Sequence, residues 1–135
     1  MKGALAVLLA GLLFAGCSLG ADEEGGKGAS RSEGQAAAVV VRLDALIRDR
    51  AYGQICQRLL TPRARLEAGG PACARGMRVH TLGLTDPRLR LESVRRVGGE
   101  LHARVTVSSG GQPSGRRTVV LQRVGRPLRI AGIVR

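Results

Sequence analysis

The chain has 135 residues, a formal net charge of +12 and a mean hydropathy near zero, with only one tyrosine, one phenylalanine and no tryptophan. That length bounds the molecule to one modest core. The near absence of aromatic rings argues against a single-stranded nucleic-acid binder, which interleaves cations with stacking rings, so nucleic acid is not an expected partner.

Met1-Lys2 opens the chain, followed by an apolar run from Gly3 to Phe14 and then Ala15-Gly16-Cys17. A basic start, a short apolar region and small residues before a cut make a secretory signal. The run is too short for a comfortable bilayer span, and nothing later approaches the roughly 20 apolar residues a spanning helix needs. Leu13-Phe14-Ala15-Gly16-Cys17 resembles the lipobox of bacterial lipoproteins, with Phe14 where an aliphatic residue is usual. The resemblance implies cleavage after residue 16 and lipidation of Cys17. It thus implies anchoring to the extracytoplasmic face of a cell membrane. An ordinary signal peptide, leaving Cys17 as a plain thiol, is the alternative.

Residues 18–34 read SLGADEEGGKGASRSEG, rich in glycine, serine and charge, with a net charge of −2. No apolar period appears there, so the segment is expected to be a flexible tether. Residues 35–135 hold 19 arginines, no lysine and six acids, a net +13. Guanine-cytosine-rich coding explains arginine over lysine but not arginine over acids. A domain so charged is expected to feel anionic lipid or envelope polymer.

Ala36, Val39, Val40, Leu43, Leu46 and Ile47 repeat at helical period, which predicts a helix from Gln35 to Arg50. Asp44 and Asp49 are expected to pair with Arg48 and its neighbours on the solvated side. Tyr52, Ile55, Cys56 and Leu59 continue the spacing in a second helix. Thr61-Pro62 reads as a cap and first position of a third, short helix ending at Gly69-Gly70. Residues 71–75 have room for one more turn. Cys56 and Cys73 are expected to form a disulfide, worth roughly 3 kcal/mol through loop closure; two buried thiols are the alternative. Neither cysteine belongs to a C-x-x-C motif, and no metal-ligand spacing is present, so no metal or cofactor is expected.

After Met77 the period changes to two. Leu89 and Leu91 alternate with Arg88, Arg90 and Glu92, and Val94 falls out of phase, which predicts a bulge near Ser93. Asp86-Pro87 reads as a turn and His80 as part of a loop. Gly98-Gly99 makes a hairpin. Leu101, Ala103, Val105 and Val107 then face one way, and His102, Arg104, Thr106 and Ser108 the other. Residues 109–115 read as a second turn, followed by strands at Thr118–Val124 and Leu128–Val134. Helices followed by three or four antiparallel strands make an α+β domain.

This order, with Tyr52, Cys56, Leu59-Leu60-Thr61-Pro62, Cys73 and Pro127-Leu128-Arg129-Ile130, resembles the NTF2-like superfamily in its secreted lipoprotein branch. Leu128 stands where relatives often carry tryptophan. The resemblance implies N-terminal helices packed on a curved sheet, a cone with a pocket, and in many members a homodimer. Enzymes of that fold place an acid or histidine base opposite tyrosine or acid donors. Here only Tyr52 and His102 offer such a pocket pair, and Tyr52 sits on a core stripe while His102 sits on a polar strand face. Ser108 and Ser109 match no nucleophile elbow. No catalytic residue is therefore assigned, and a small isomerase, dehydratase or hydrolase is kept only as the alternative. The expected partners are a small ligand, or an anionic polymer or lipid held by Arg88, Arg90, Arg95, Arg96 and Arg104. Dispersed, solvated arginines are the plainer reading of that set.

Overall fold

The computed structural model describes residues 21–135, and side-chain surroundings from residue 31 onward. The signal segment and Cys17 lie outside the described residues. The first helix, α1, runs Ala21–Arg48. The tether expected to reach Gly34 is therefore helical from Ala21. Extending an existing helix adds one backbone hydrogen bond per residue without a new nucleus, so this segment continues the striped helix that follows it. The stripe itself starts where the sequence places it, with Ala36, Val40, Leu43 and Leu46 all buried. Residues Ser32–Arg135 form one compact unit.

Helix α1 ends in a reversed turn. The Ala51 N–H reaches Leu46 O at 2.9 Å and the Arg50 N–H reaches Ile47 O at 3.1 Å, with Arg50 at φ +55°. That is a Schellman-type cap with arginine where glycine is usual. A short helix α2, Tyr52–Gln54, runs on into a π-helical turn, Ile55–Leu59. Helix α3, Pro62–Glu67, starts as expected: Thr61 Oγ1 accepts the Ala64 N–H at 3.1 Å, and Pro62 needs no donor at the first position. A 3₁₀ turn, Gly70–Ala72, leads into α4, Cys73–His80. The single turn expected around 71–75 is thus a full helix that reaches His80, which closes α4 rather than lying in a loop.

The Sγ atoms of Cys56 and Cys73 are 1.95 Å apart, so the two cysteines form the expected disulfide. It joins the π-helical turn to the start of α4, with Met77 Sδ 3.9 Å from Cys56 Sγ.

Four strands follow: β1 Thr85–Val97, β2 Glu100–Gly110, β3 Gln112–Arg123 and β4 Leu128–Val134. They form one open antiparallel sheet in the order β1-β2-β3-β4. The predicted bulge is present: Leu91 pairs with Val105 and Ser93 with Arg104, leaving Glu92 as the extra residue. Two turns are shorter than expected. Asp86-Pro87 lies inside β1 at a register shift between Thr85 and Arg88, with Asp86 at φ +45°. The second hairpin turns at Gly110-Gly111, where Gly111 supplies φ +76°, and Pro113 to Gly115 are already strand.

Alternation assigns the two sheet faces. Leu101, Ala103 and Val105 of β2, Val119 and Leu121 of β3 and Ile130 of β4 are buried in the same core as the α1 stripe, Tyr52, Ile55, Leu59 and Cys73. Ile130 and Leu121 are at most 1% exposed, so truncating either to alanine is expected to cost about 2–5 kcal/mol. The fourth strand is also held at its free edge: the Thr61 N–H donates to Ile130 O at 2.8 Å, and Leu60 bridges Ile130 in parallel. Among the described residues the result is an α+β fold of four helices and an open four-stranded sheet.

Candidate functional site: the outer sheet face and two clefts

The sheet face away from the core is polar and basic. Register places Arg90 beside Thr106, Arg88 beside Ser108, Arg104 beside Ser93 and Arg95 beside His102. On the other flank of β2, Arg116 stands beside Thr106 and Val120 beside His102. Arg88, Arg90, Arg95 and Arg104, all expected on one surface, therefore share it. Arg116 joins them; the sequence reading missed it by drawing the turn through Gly115, although the Arg116, Thr118, Val120 alternation carries the signal. Arg96 does not belong to the set. The bulge at Glu92 sets it beside Leu101, and its Nη2 donates to Ser32 Oγ at 3.3 Å. Neighbouring strand residues point to opposite faces, and the extra residue at Glu92 decides that Arg95, not Arg96, joins the basic face.

Two carboxylates are embedded in this face. Glu92 accepts the Thr106 hydroxyl, and Arg116 Nε lies 3.5 Å from its Oε1. The Thr106 hydrogen bond, then Arg116 and Arg104, hold the Glu92 carboxyl below the ordinary 4.5. Glu100 accepts the Gln122 side-chain amide and lies 3.3 Å from His102 Nε2; these two bonds, in that order, lower its pKa as well. Arg88 is engaged by Asp86 at 3.1 Å. Among the described residues, Arg90, Arg95 and Arg104 make no ion pair. Arg90 and Arg95 are free cations there, while Arg104, without a contact pair, still adds to the field at Glu92.

The proposed pocket pair is not assembled. Tyr52 is 5% exposed and belongs to the core; its hydroxyl lies 2.6 Å from Thr81 Oγ1. The Thr81 proton is directed at Met77 O, 2.9 Å away, so Tyr52 is the donor and ties α2 to the end of α4. His102 sits on the outer sheet face with Glu100. A tyrosine in the helix layer and a histidine on the far face of the sheet cannot meet one reacting atom. Among the described residues no group of three metal-ligating side chains is present.

Two clefts lie in the helical layer. One, about 230 Å³, is bordered by Arg48, Arg50, Tyr52, Thr81 and Asp86. The other, about 390 Å³, lies between the π-helical turn, α3, the 3₁₀ turn and β4, with Leu60, Pro62, Leu66 and Pro71 as walls and Arg65 and Arg129 as cations. Sequence gave no hint of the second, because its residues come from distant elements that only the fold brings together. His80 and Asp49 are exposed and line neither cleft.

Among the described residues no helix is long and apolar enough to cross a membrane. Compared with protein families, with curated proteins and with solved structures, the chain matches none.

Proposed function

We propose that this protein is a bacterial lipoprotein, anchored through Cys17 to the extracytoplasmic side of the membrane, whose NTF2-like domain binds an anionic envelope partner without chemistry. The observation that carries the binding reading is the outer sheet face, where Arg90, Arg95 and Arg104 stand without ion-pair partners among the described residues. Clustered like charges repel, so a surface of this kind gains from a polyanion that neutralises it. The anchor reading rests on the residues Leu13 to Cys17 and on the disulfide, which suits an oxidising compartment. The cone reading rests on the order of helices before an antiparallel sheet. The separation of Tyr52 from His102 speaks against the enzyme alternative.

The test is co-sedimentation of residues 17–135 carrying Cys17→Ser, without the apolar signal segment, with vesicles of phosphatidylglycerol or of phosphatidylcholine alone. Retention by the anionic vesicles that falls with added salt is expected, because exposed charges are screened over about 8 Å at physiological ionic strength. Equal retention by both vesicles, or turnover of a substrate that survives purification, contradicts the reading.

A further inference from the structure

The cleft beside the disulfide has the chemistry of a ligand site that the outer face does not explain. Its walls are aliphatic: Leu60, Pro62, Leu66 and Pro71, with the Cys56 end of the disulfide behind them. Leu66 is 73% exposed, an uncovered branched side chain at the mouth. Its volume, about 390 Å³, lies at the lower end of the range for small-molecule sites. Both cations that line it, Arg65 and Arg129, lack a carboxylate partner among the described residues. Arg129 is the more unusual of the two. Its Nε is buried with no hydrogen-bond acceptor, and its Nη1 has only a long contact to Leu60 O at 3.4 Å. A guanidinium left short of acceptors beside aliphatic walls is costly, and since its Nε is enclosed, an anion in the cleft would meet it through the Nη groups.

We infer that this cleft binds a single-chain fatty carboxylate, its tail against Leu60, Leu66 and the two prolines and its head on Arg65 and Arg129. Aliphatic walls without an aromatic ring suit a hydrocarbon chain. The modest volume suits one chain rather than the two of a phospholipid. A peptide terminus paired to the strand beside the cleft is disfavoured by the backbone: at Ile130 the edge of β4 is already taken by Leu60 and Thr61, with the Thr61 N–H on Ile130 O. Besides the Gln57 side chain, the cleft offers a ligand apolar side-chain surface and two guanidinium groups, which bind a carboxylate in a fork.

The experiment is a titration of the isotope-labelled Cys17→Ser full chain with dodecanoate below its micelle concentration, followed by NMR. Saturable shifts are expected at the Arg129 Nε–H, Leu66 and Gly70, and dodecanol is expected to bind about tenfold more weakly or worse, the loss of one charged head contact. Arg65→Met, an exposed position, is expected to weaken dodecanoate by about the same factor, and Leu66→Glu to abolish binding. Arg129→Met should act like Arg65→Met wherever its amide spectrum shows it folded. The inference is overturned by no saturable shift, by shifts confined to the outer sheet face, by equal binding of dodecanoate and dodecanol, or by Arg65→Met binding as well as the parent. Occupation of the cleft by a leucine-terminated peptide when dodecanoate leaves it empty would reassign it to a protein partner and likewise overturn the inference.

Discussion

Asp44 Oδ1 accepts the backbone N–H of Leu89 at 2.7 Å, while its Oδ2 holds Arg48 at 3.1 Å. One helical carboxylate thus occupies a donor on the open edge of β1, the edge strand of the sheet. An unpaired edge donor invites pairing with another chain, and a carboxylate seated on it blocks that pairing. Asp44→Ala leaves the Leu89 donor unpaired in a half-buried place and is expected to cost about 1–3 kcal/mol. Asp44→Asn keeps an acceptor and should cost less. Urea unfolding of the two variants, with exchange of the Leu89 amide, checks the order; equal losses would mean that the Arg48 pair alone matters.

Arg50 supplies the left-handed residue that closes α1, at φ +55° and exposed to solvent. A side chain in that conformation carries a cost of about 1–2 kcal/mol that glycine avoids, partly offset by the greater freedom of glycine in the unfolded chain. Arg50→Gly is therefore expected to raise stability by about 0.5 kcal/mol. A thermal melt reads the sign, and a lower midpoint would mean that the arginine makes a contact worth more than the strain.

Cys56 and Cys73 are 4% and 1% exposed and close a loop with a sequence separation of 17. Reduction, or replacement of both by alanine, is expected to remove about 3 kcal/mol. Neither sulfur should take up an alkylating agent in the folded, unreduced protein. Labelling of both without reductant contradicts the bridge.

Glu92 and Glu100 have folded-state pKa values below 4.5, through Thr106 and Gln122 first. Their contribution to stability is present above pH 4.5 and declines as pH falls through the lowered folded values. Acid titration of the melting midpoint should show this loss, and the double variant Glu92→Gln with Glu100→Gln should flatten it. An unchanged acid limb in the double variant would assign the loss to other carboxylates.

Period and punctuation made much of the fold legible. The alternation from Leu101 to Ser108 gave the central strand and both its faces, and Val94, out of phase with Leu91, gave the bulge. Thr61-Pro62 gave the cap and start of α3. What failed did so for physical reasons. Pro87 and Pro113 read as turns because proline weakens a strand, yet both are tolerated near the ends of long strands, beside a register shift or a hairpin. Helix α4 is only eight residues long and its one fully buried residue is Cys73, so it offered too few turns for a period to be read from sequence. Of the basic face, Arg88, Arg90 and Arg104 were legible from strand alternation, whereas Arg95 and Arg96 were placed together beside the hairpin, and only the register shift at Glu92 decides that Arg95 belongs to the face and Arg96 does not. Asp44 on Leu89, and Arg65 with Arg129 in one cleft, join elements remote in sequence, and no local pattern encodes such pairs.

The central claim is that a defined face, and not net charge alone, holds the partner. The most direct measurement compares two variants of equal charge in the anionic-vesicle assay, Arg90→Gln with Arg104→Gln on the outer sheet face and Arg75→Gln with Arg78→Gln on α4, which are likewise exposed. At about 1 kcal/mol for each cation held near the surface, the face variant should lose roughly tenfold or more in binding and the α4 variant much less. Equal losses from the two would show a diffuse charge effect and contradict the account.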